Sequence, residues 1–253
     1  MVTVVSPHLT AVGATWDEGP EAGRWIAERL GPFGPSLGHA VPLGYAAYAV
    51  APILSDRDAE DVADVGPLAI LDILLDLLGP FTGDQPVHSG MWDGWGSFFW
   101  DAVGPDPGVE RPDAEPLELP HRQYHLWTGP LRSATAFRHG PFVQPSLIWP
   151  EDRSWFVGVP IYTNEIAVAG TCAVIDAILG DPRLHARRAT PADVLDGDDS
   201  RETTQRCETG VVTTPSAFEP RVRGRVLWLR WTLPAGCRRG WRACTGRRPG
   251  RSR

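Results

Sequence analysis

Lysine is missing altogether: all 24 basic residues of the 253 are arginine. Lysine codons are AT-rich while those of Arg, Gly, Pro and Ala can be GC-rich, so the composition reads as that of a GC-rich genome. Cysteine is scarce, with four residues at 172, 207, 237 and 244 and no CxxC pair. That spacing offers neither a zinc ribbon nor a redox motif, and a reduced, cytoplasmic protein without disulfides is expected. Long apolar runs are lacking too. The most apolar segment, Pro67 to Leu78, is too short to span a bilayer. The N-terminus has no basic n-region, and Pro7 and His8 interrupt its apolar run, so no secretory leader is expected. No P-loop, Rossmann GxGxxG, HExxH or EF-hand loop occurs, which removes the usual entry points for nucleotide and metal chemistry; no cofactor and no metal are expected.

What is present is unevenly distributed. Residues 1 to 208 carry 13 Arg and 30 acids, a balance of −17, whereas residues 209 to 253 carry 11 Arg and one acid, a balance of +10. An acidic body repels a phosphate backbone, so no nucleic-acid partner and no membrane are expected for the main domain. The basic segment, with its Trp, Gly and Cys and no acid after Glu219, reads either as an arm for an anionic surface or as GC-rich DNA translated out of frame. Its lack of any hydrophobic period favours the second, and a poorly structured tail over residues 201 to 253 is expected.

The 25 Pro and 27 Gly point to many short elements. Glu21 to Leu30 has helical apolar spacing with Gly31-Pro32 as a stop. Ala40 to Pro52 reads as a strand. Pro67 to Leu78 reads as a buried helix, with acids ahead of it and Gly79-Pro80 ending it. In Val87 to Trp100 the pair Asp93-Gly94 between Trp92 and Trp95 predicts a type I′ hairpin whose two indoles face each other. Gly104 to Pro120 is a Pro- and acid-rich loop, His121 to Leu131 a strand, and Ser133 to His139 a short helix. Ser146 to Trp149 and Trp155 to Ile161 form a second hairpin around the polar turn Pro150 to Ser154. A helix over Gly170 to Leu179 closes the domain.

Three motifs invite chemistry. Gly34-Pro35-Ser36-Leu37-Gly38 matches GxSxG, yet a helix precedes it and a strand-like run follows, the reverse of a nucleophile elbow. His121 and His125 form HxxxH, but on a strand four residues span roughly 13 Å, too far for a shared metal. Glu151, Asp152 and Arg153 offer carboxylates and an Arg clamp between Trp149 and Trp155. The plainer reading is that charges belong on a hairpin tip, where such pairs contribute little.

Five segments taken together resemble a group of uncharacterised actinobacterial proteins: LGPFG (30 to 34), WDGWG (92 to 96), LPHRQYHLWTGPL (119 to 131), SLIWPEDRSWFV (146 to 157) and AILGDPRL (177 to 184). The group has no assigned activity, so the resemblance implies no catalytic residues. It does imply an end to the domain soon after AILGDPRL. Where members carry an acidic pair in the strand after WFV, this chain has Pro160 and Tyr162.

The expectation is one α+β domain over residues 15 to 200, an antiparallel sheet built from hairpins and flanked by about three helices. The functional expectation is a non-catalytic binding module whose aromatic-rich surface for a protein or small-molecule partner uses Trp92, Asp93, Trp95, Trp149, Glu151, Asp152, Arg153 and Trp155. The alternative is a hydrolase using carboxylates near Glu151 and Asp152.

Overall fold

A computed structural model describes residues 6–53, 67–95, 111–137, 144–161 and 163–196. The chain divides into two units, Met1–Arg206 and Cys207–Arg253, and every described residue lies in the first. The expected tail from residue 201, the acidic run 56 to 64 and residues 104 to 110 of the expected loop fall outside the described residues; the rest of that loop includes the strand Leu117–Leu119.

Short apolar runs bounded by Gly, Pro and polar residues become strands here, and nine of them form one sheet. They are β1 (Thr15–Trp16), β2 (Ala47–Pro52), β3 (Val87–Trp92), β4 (Leu117–Leu119), β5 (Arg122–Gly129), β6 (Leu147–Pro150), β7 (Trp155–Gly158), β8 (Glu165–Gly170) and β9 (Arg187–Ala189). The order is β1-β5-β3-β6-β7-β8-β2-β9, with β4 also paired to β5, and every pairing is antiparallel. The helices are α1 (Pro7–Ala11), α2 (Arg24–Ala27), α3 (Leu37–Ala40), α4 (Pro67–Thr82) and α5 (Cys172–Gly180). The protein is therefore α+β.

Every residue of β6, β7 and β8 is buried. Their near-continuous apolar sequences suit strands covered on both faces. One face carries Ala49, Ile148, Trp155, Val157 and Val168 under α4 and α5. The other carries Tyr48, Val50, Trp149, Phe156 and Ala167 under the short N-terminal helices, with Trp25, Ile26, Leu37 and Val41 as the covering side chains. A smaller cluster of Leu9, Trp16, Met91, Trp127 and Phe137 closes the β1 end. Leu9 lies in α1, so the fold begins before residue 15.

Three helices depart from expectation. Ser133 to His139 yields only the 3₁₀ turn Leu131–Thr135, with residues 138 and 139 outside the described ones. The segment after Glu21 forms a 3₁₀ turn and then only the single α-turn of α2, because its apolar face has just Trp25 and Ile26 to bury. Conversely α4 runs through Gly79-Pro80 to Thr82. Proline removes a donor and displaces the carbonyl four residues back, here that of Asp76 on the exposed side, where water can satisfy it. The last turn is tied by Thr82 Oγ1 donating to Leu78 O at 2.8 Å and Gly83 N to Gly79 O at 3.1 Å. Thr171 caps α5, its hydroxyl accepting from Val174 N at 3.3 Å.

Gly158 at the end of β7 lets the chain after α3 lie directly on the sheet: a Cβ there would run into the carbonyl oxygen of Ala40 and sit 2.9 Å from Val41 Cγ1. Gly158→Ala is expected to destabilise by about 1–3 kcal/mol in urea titration. Gly180→Ala, where a Cβ meets nothing within 4 Å, serves as the control and should shift stability by less than about 1 kcal/mol.

Candidate functional site

The eight residues expected to share a surface are divided by the sheet. Trp149 (1% exposed) and Trp155 (0%) are core residues on opposite faces and cannot form part of a ligand surface. Period-two alternation is the reason: Trp149 aligns with Phe156, stacked at 5.8 Å, which sends Trp155 through to the other side. Trp155 is held there by its indole N–H donating to Thr82 Oγ1 at 3.1 Å. Trp149→Ala is accordingly expected to cost about 3–5 kcal/mol of stability, read by thermal or urea unfolding, rather than to act as a clean binding mutation.

Trp92, Asp93 and Trp95 stay near the surface. Trp92 N to Trp95 forms a turn closed by Trp95 N donating to Trp92 O at 3.2 Å, and the two rings meet edge to face at 5.6 Å. The turn is not type I′, since neither Asp93 nor Gly94 has positive φ. Gly94 is required for room instead: a Cβ there would overlap the Trp92 ring. The expected strand after Trp95 lies outside the described residues, and the neighbours of β3 are β5 and β6. Asp93 accepts from His125 Nε2 at 2.8 Å and from Arg111 Nε at 3.3 Å. Burial holds the His125 pKa below its ordinary value against the opposing pull of Asp93.

Beside this turn, the two-residue loop Pro120-His121 joins β4 to β5 with His121 at φ 66°, a left-handed position that His tolerates better than most residues. Between the two turns lies an open depression of about 480 Å³ lined by Trp92, Asp93, Glu118, His121, Arg122 and Gln123, among others. The Arg122 guanidinium lies 6.0 Å from the Trp92 ring centre, and no carboxylate of the described residues comes within 4.0 Å of it. His39 and His121 both pack on Phe33, edge-on at 4.6 Å and tilted at 4.5 Å, and the His39 pKa is lowered by burial first and then by Arg122 and His121. Sequence reasoning reached Trp92 and Asp93 through their Asp-Gly turn; Arg122 and His121 are 30 residues away and came only with the β3–β5 pairing.

The polar turn of the β6–β7 hairpin is where it was expected, at residues 151 to 154. Arg153 takes φ 58°, and Asp152 accepts from Ser154 N at 2.9 Å. Burial would raise the Asp152 pKa, but its hydrogen bonds with Ser154 and Gln85 outweigh that and lower it. Glu151 leaves the turn for the face of Trp149. Its Oε2 lies 2.7 Å from His88 Nε2, while His88 Nδ1 lies 2.8 Å from Thr128 Oγ1, which is 2.6 Å from Asp17 Oδ1. These four residues stand on β1's end, β5, β3 and β6's turn, following the order of the strands.

The Thr128 hydroxyl carries a single proton and donates it to Asp17 Oδ1. Burial is the main cause raising the Asp17 pKa, with Glu151 adding to it and the Thr128 bond and His88 opposing it; Asp17 Oδ2 is buried without a partner. A raised acid contributes stability below its unfolded value of 3.8 that is lost as pH climbs through the folded value. Asp17→Asn lacks this contribution, so its stability relative to the wild type is expected to fall on acidification towards that pH, measured by urea midpoints at several pH values.

Ser36 of the GxSxG match forms an isolated bridge with Val194 and precedes the one-turn helix α3, without a strand ahead of it. Among the described residues no group of His, Cys, Asp and Glu is arranged to hold a metal. Among them, too, no helix is long and apolar enough to cross a membrane. The fold defines an α+β protein built on one antiparallel sheet. No protein-family model, curated protein or solved structure matches the chain.

Proposed function

We propose that the protein is a non-catalytic binding module and that its contact surface for a protein or small-molecule partner is the depression between the Trp92–Trp95 turn and the β4–β5 turn. The observation that carries this reading is Arg122, a guanidinium with no carboxylate partner among the described residues, set against Trp92 in the wall of a concavity. Arginine and tryptophan are the side chains that dominate binding energy where surfaces meet, since each combines a flat apolar face with directed donors. Asp93 is already committed to His125 and Arg111, and Glu118 accepts from Gln123 Nε2 at 3.0 Å, which leaves Arg122 and His121 to meet a partner.

The test is a pull-down from native lysate with the tagged full chain, run beside Arg122→Glu and Trp92→Ala. A partner enriched by the wild type should be lost with Arg122→Glu while thermal stability stays within a few degrees. An identical captured set with both variants overturns the reading.

The Glu151–His88 contact supports a second reading, a hydrolase in which the exposed Glu151 carboxylate takes a proton and His88 with Thr128 and Asp17 orients it. Its weakness is exposure: the Glu151 side chain is 64% accessible, and a catalytic carboxylate is usually desolvated. Turnover of an activated ester that disappears in His88→Gln would favour it over the binding module; equal turnover in both would remove it.

A further inference from the structure

A different part of the surface gathers donors that lack acceptors. Trp25 of α2 is 8% exposed and packs edge-on against Trp149 and Phe156. Two arginines reach its ring from different segments: Arg153 of the hairpin turn, 4.8 Å from the ring centre, and Arg29, just after α2, at 5.7 Å. Two guanidinium groups sharing one indole repel each other, and an anion between them is the ordinary relief. Among the described residues none supplies it, for no carboxylate lies within 4.0 Å of either.

The neutral donors nearby are unpartnered as well. The Trp25 indole nitrogen and the Tyr45 hydroxyl are both buried with no hydrogen-bond partner. Tyr45 feels both arginines: burial raises its pKa most, Arg29 and Arg153 pull the other way, and Asp152 adds to the rise. Asp152 is the neighbouring acid, but it accepts from Ser154 N instead of from either arginine. The Trp25 indole N–H and the Tyr45 hydroxyl thus have hydrogen-bonding capacity to spare beside two arginines that meet no carboxylate among the described residues.

We propose that Arg29, Arg153, Trp25 and Tyr45 form a binding site for a phosphate group, free or as a monoester. A phosphate matches two cations with about two charges and presents several acceptor oxygens at once, whereas a single carboxylate offers one charge and two oxygens. This site is separate from the depression at Trp92 and stands whether or not that surface binds a partner. The positive φ of Arg153 fixes where the turn presents its side chain, so the hairpin loop supplies one half of the site and the segment after α2 the other.

The experiment is an NMR titration of the ¹⁵N-labelled full chain with inorganic phosphate, with glycerol phosphate, and with acetate and chloride at matched ionic strength. The arginines of residues 209 to 253 will also attract phosphate, so the readout is confined to the Trp25 indole and the Arg29 and Arg153 Nε–H signals. Saturable shifts at these three with either phosphate probe, weakened about tenfold or more in Arg29→Gln and in Arg153→Asn, support the site. Asparagine is chosen at 153 because it tolerates the left-handed backbone, and both variants should unfold within a few degrees of the wild type. Binding by glycerol phosphate alone would assign the site to an ester. Shifts that grow linearly without saturation, that persist in both variants, or that acetate reproduces equally overturn the proposal.

Discussion

The middle of this sheet is buried on both sides, and most of the remaining structure follows from that. β6, β7 and β8 have no exposed residue, so each face needs a cover, and the chain supplies two of different character. α4 and α5 are regular helices with apolar faces and cover one side efficiently. The other side is covered by short pieces, α2, α3 and the chain after it, held by large side chains such as Trp25, Leu37 and Val41. A cover made of fragments leaves edges, and the polar chemistry of the protein lies along them. A regular helix satisfies its own backbone and presents a smooth face; turns and one-turn helices leave donors and side chains free to point outward.

The row from Asp17 through Thr128 and His88 to Glu151 shows the same constraint acting on charge. His88 is nearly buried because Trp149 stacks on it at 5.4 Å, yet both its nitrogens find oxygen partners. Leaving either unmet would carry a desolvation penalty of about 1–3 kcal/mol. The row therefore ties four neighbouring strands together at side-chain level. The arginines over Trp25 present the opposite case, in which donors gather on the covering layer and acceptors do not.

How far this was legible in the sequence differs by element. The β6–β7 hairpin could be read because two apolar runs flank a polar turn, and the α5 helix because its spacing is bounded by Thr171 and Gly180. The helix α4 was legible in kind but not in length, since a proline on a solvated face does not end a helix that tertiary packing holds. The Asp93-Gly94 turn was legible in place but not in type. An aspartate-glycine pair suggests positive φ, whereas here the glycine makes space for Trp92. Half of the aromatic surface was misread because tryptophan content does not say which side of a sheet an indole faces. Trp149 and Trp155 are six residues apart across a turn, and only the hairpin register sets their relation.

The amino-acid sequence by itself determined the class of fold and the positions of the β6–β7 hairpin and the α5 helix, because apolar periodicity and turn residues act over a few neighbours and need no distant partner; the buried strand β8 between them was not among its expectations. It also determined that the body is acidic and free of the motifs that hold nucleotides. Only the tertiary structure decided which polar residues meet. His88 and Glu151 are 63 positions apart, Asp17 and Thr128 are 111, and Trp25 and Arg153 come from opposite ends of the domain. Such meetings depend on strand order across the whole sheet. That order is set by the joint requirement to cover both faces, a global condition that no local stretch of residues contains.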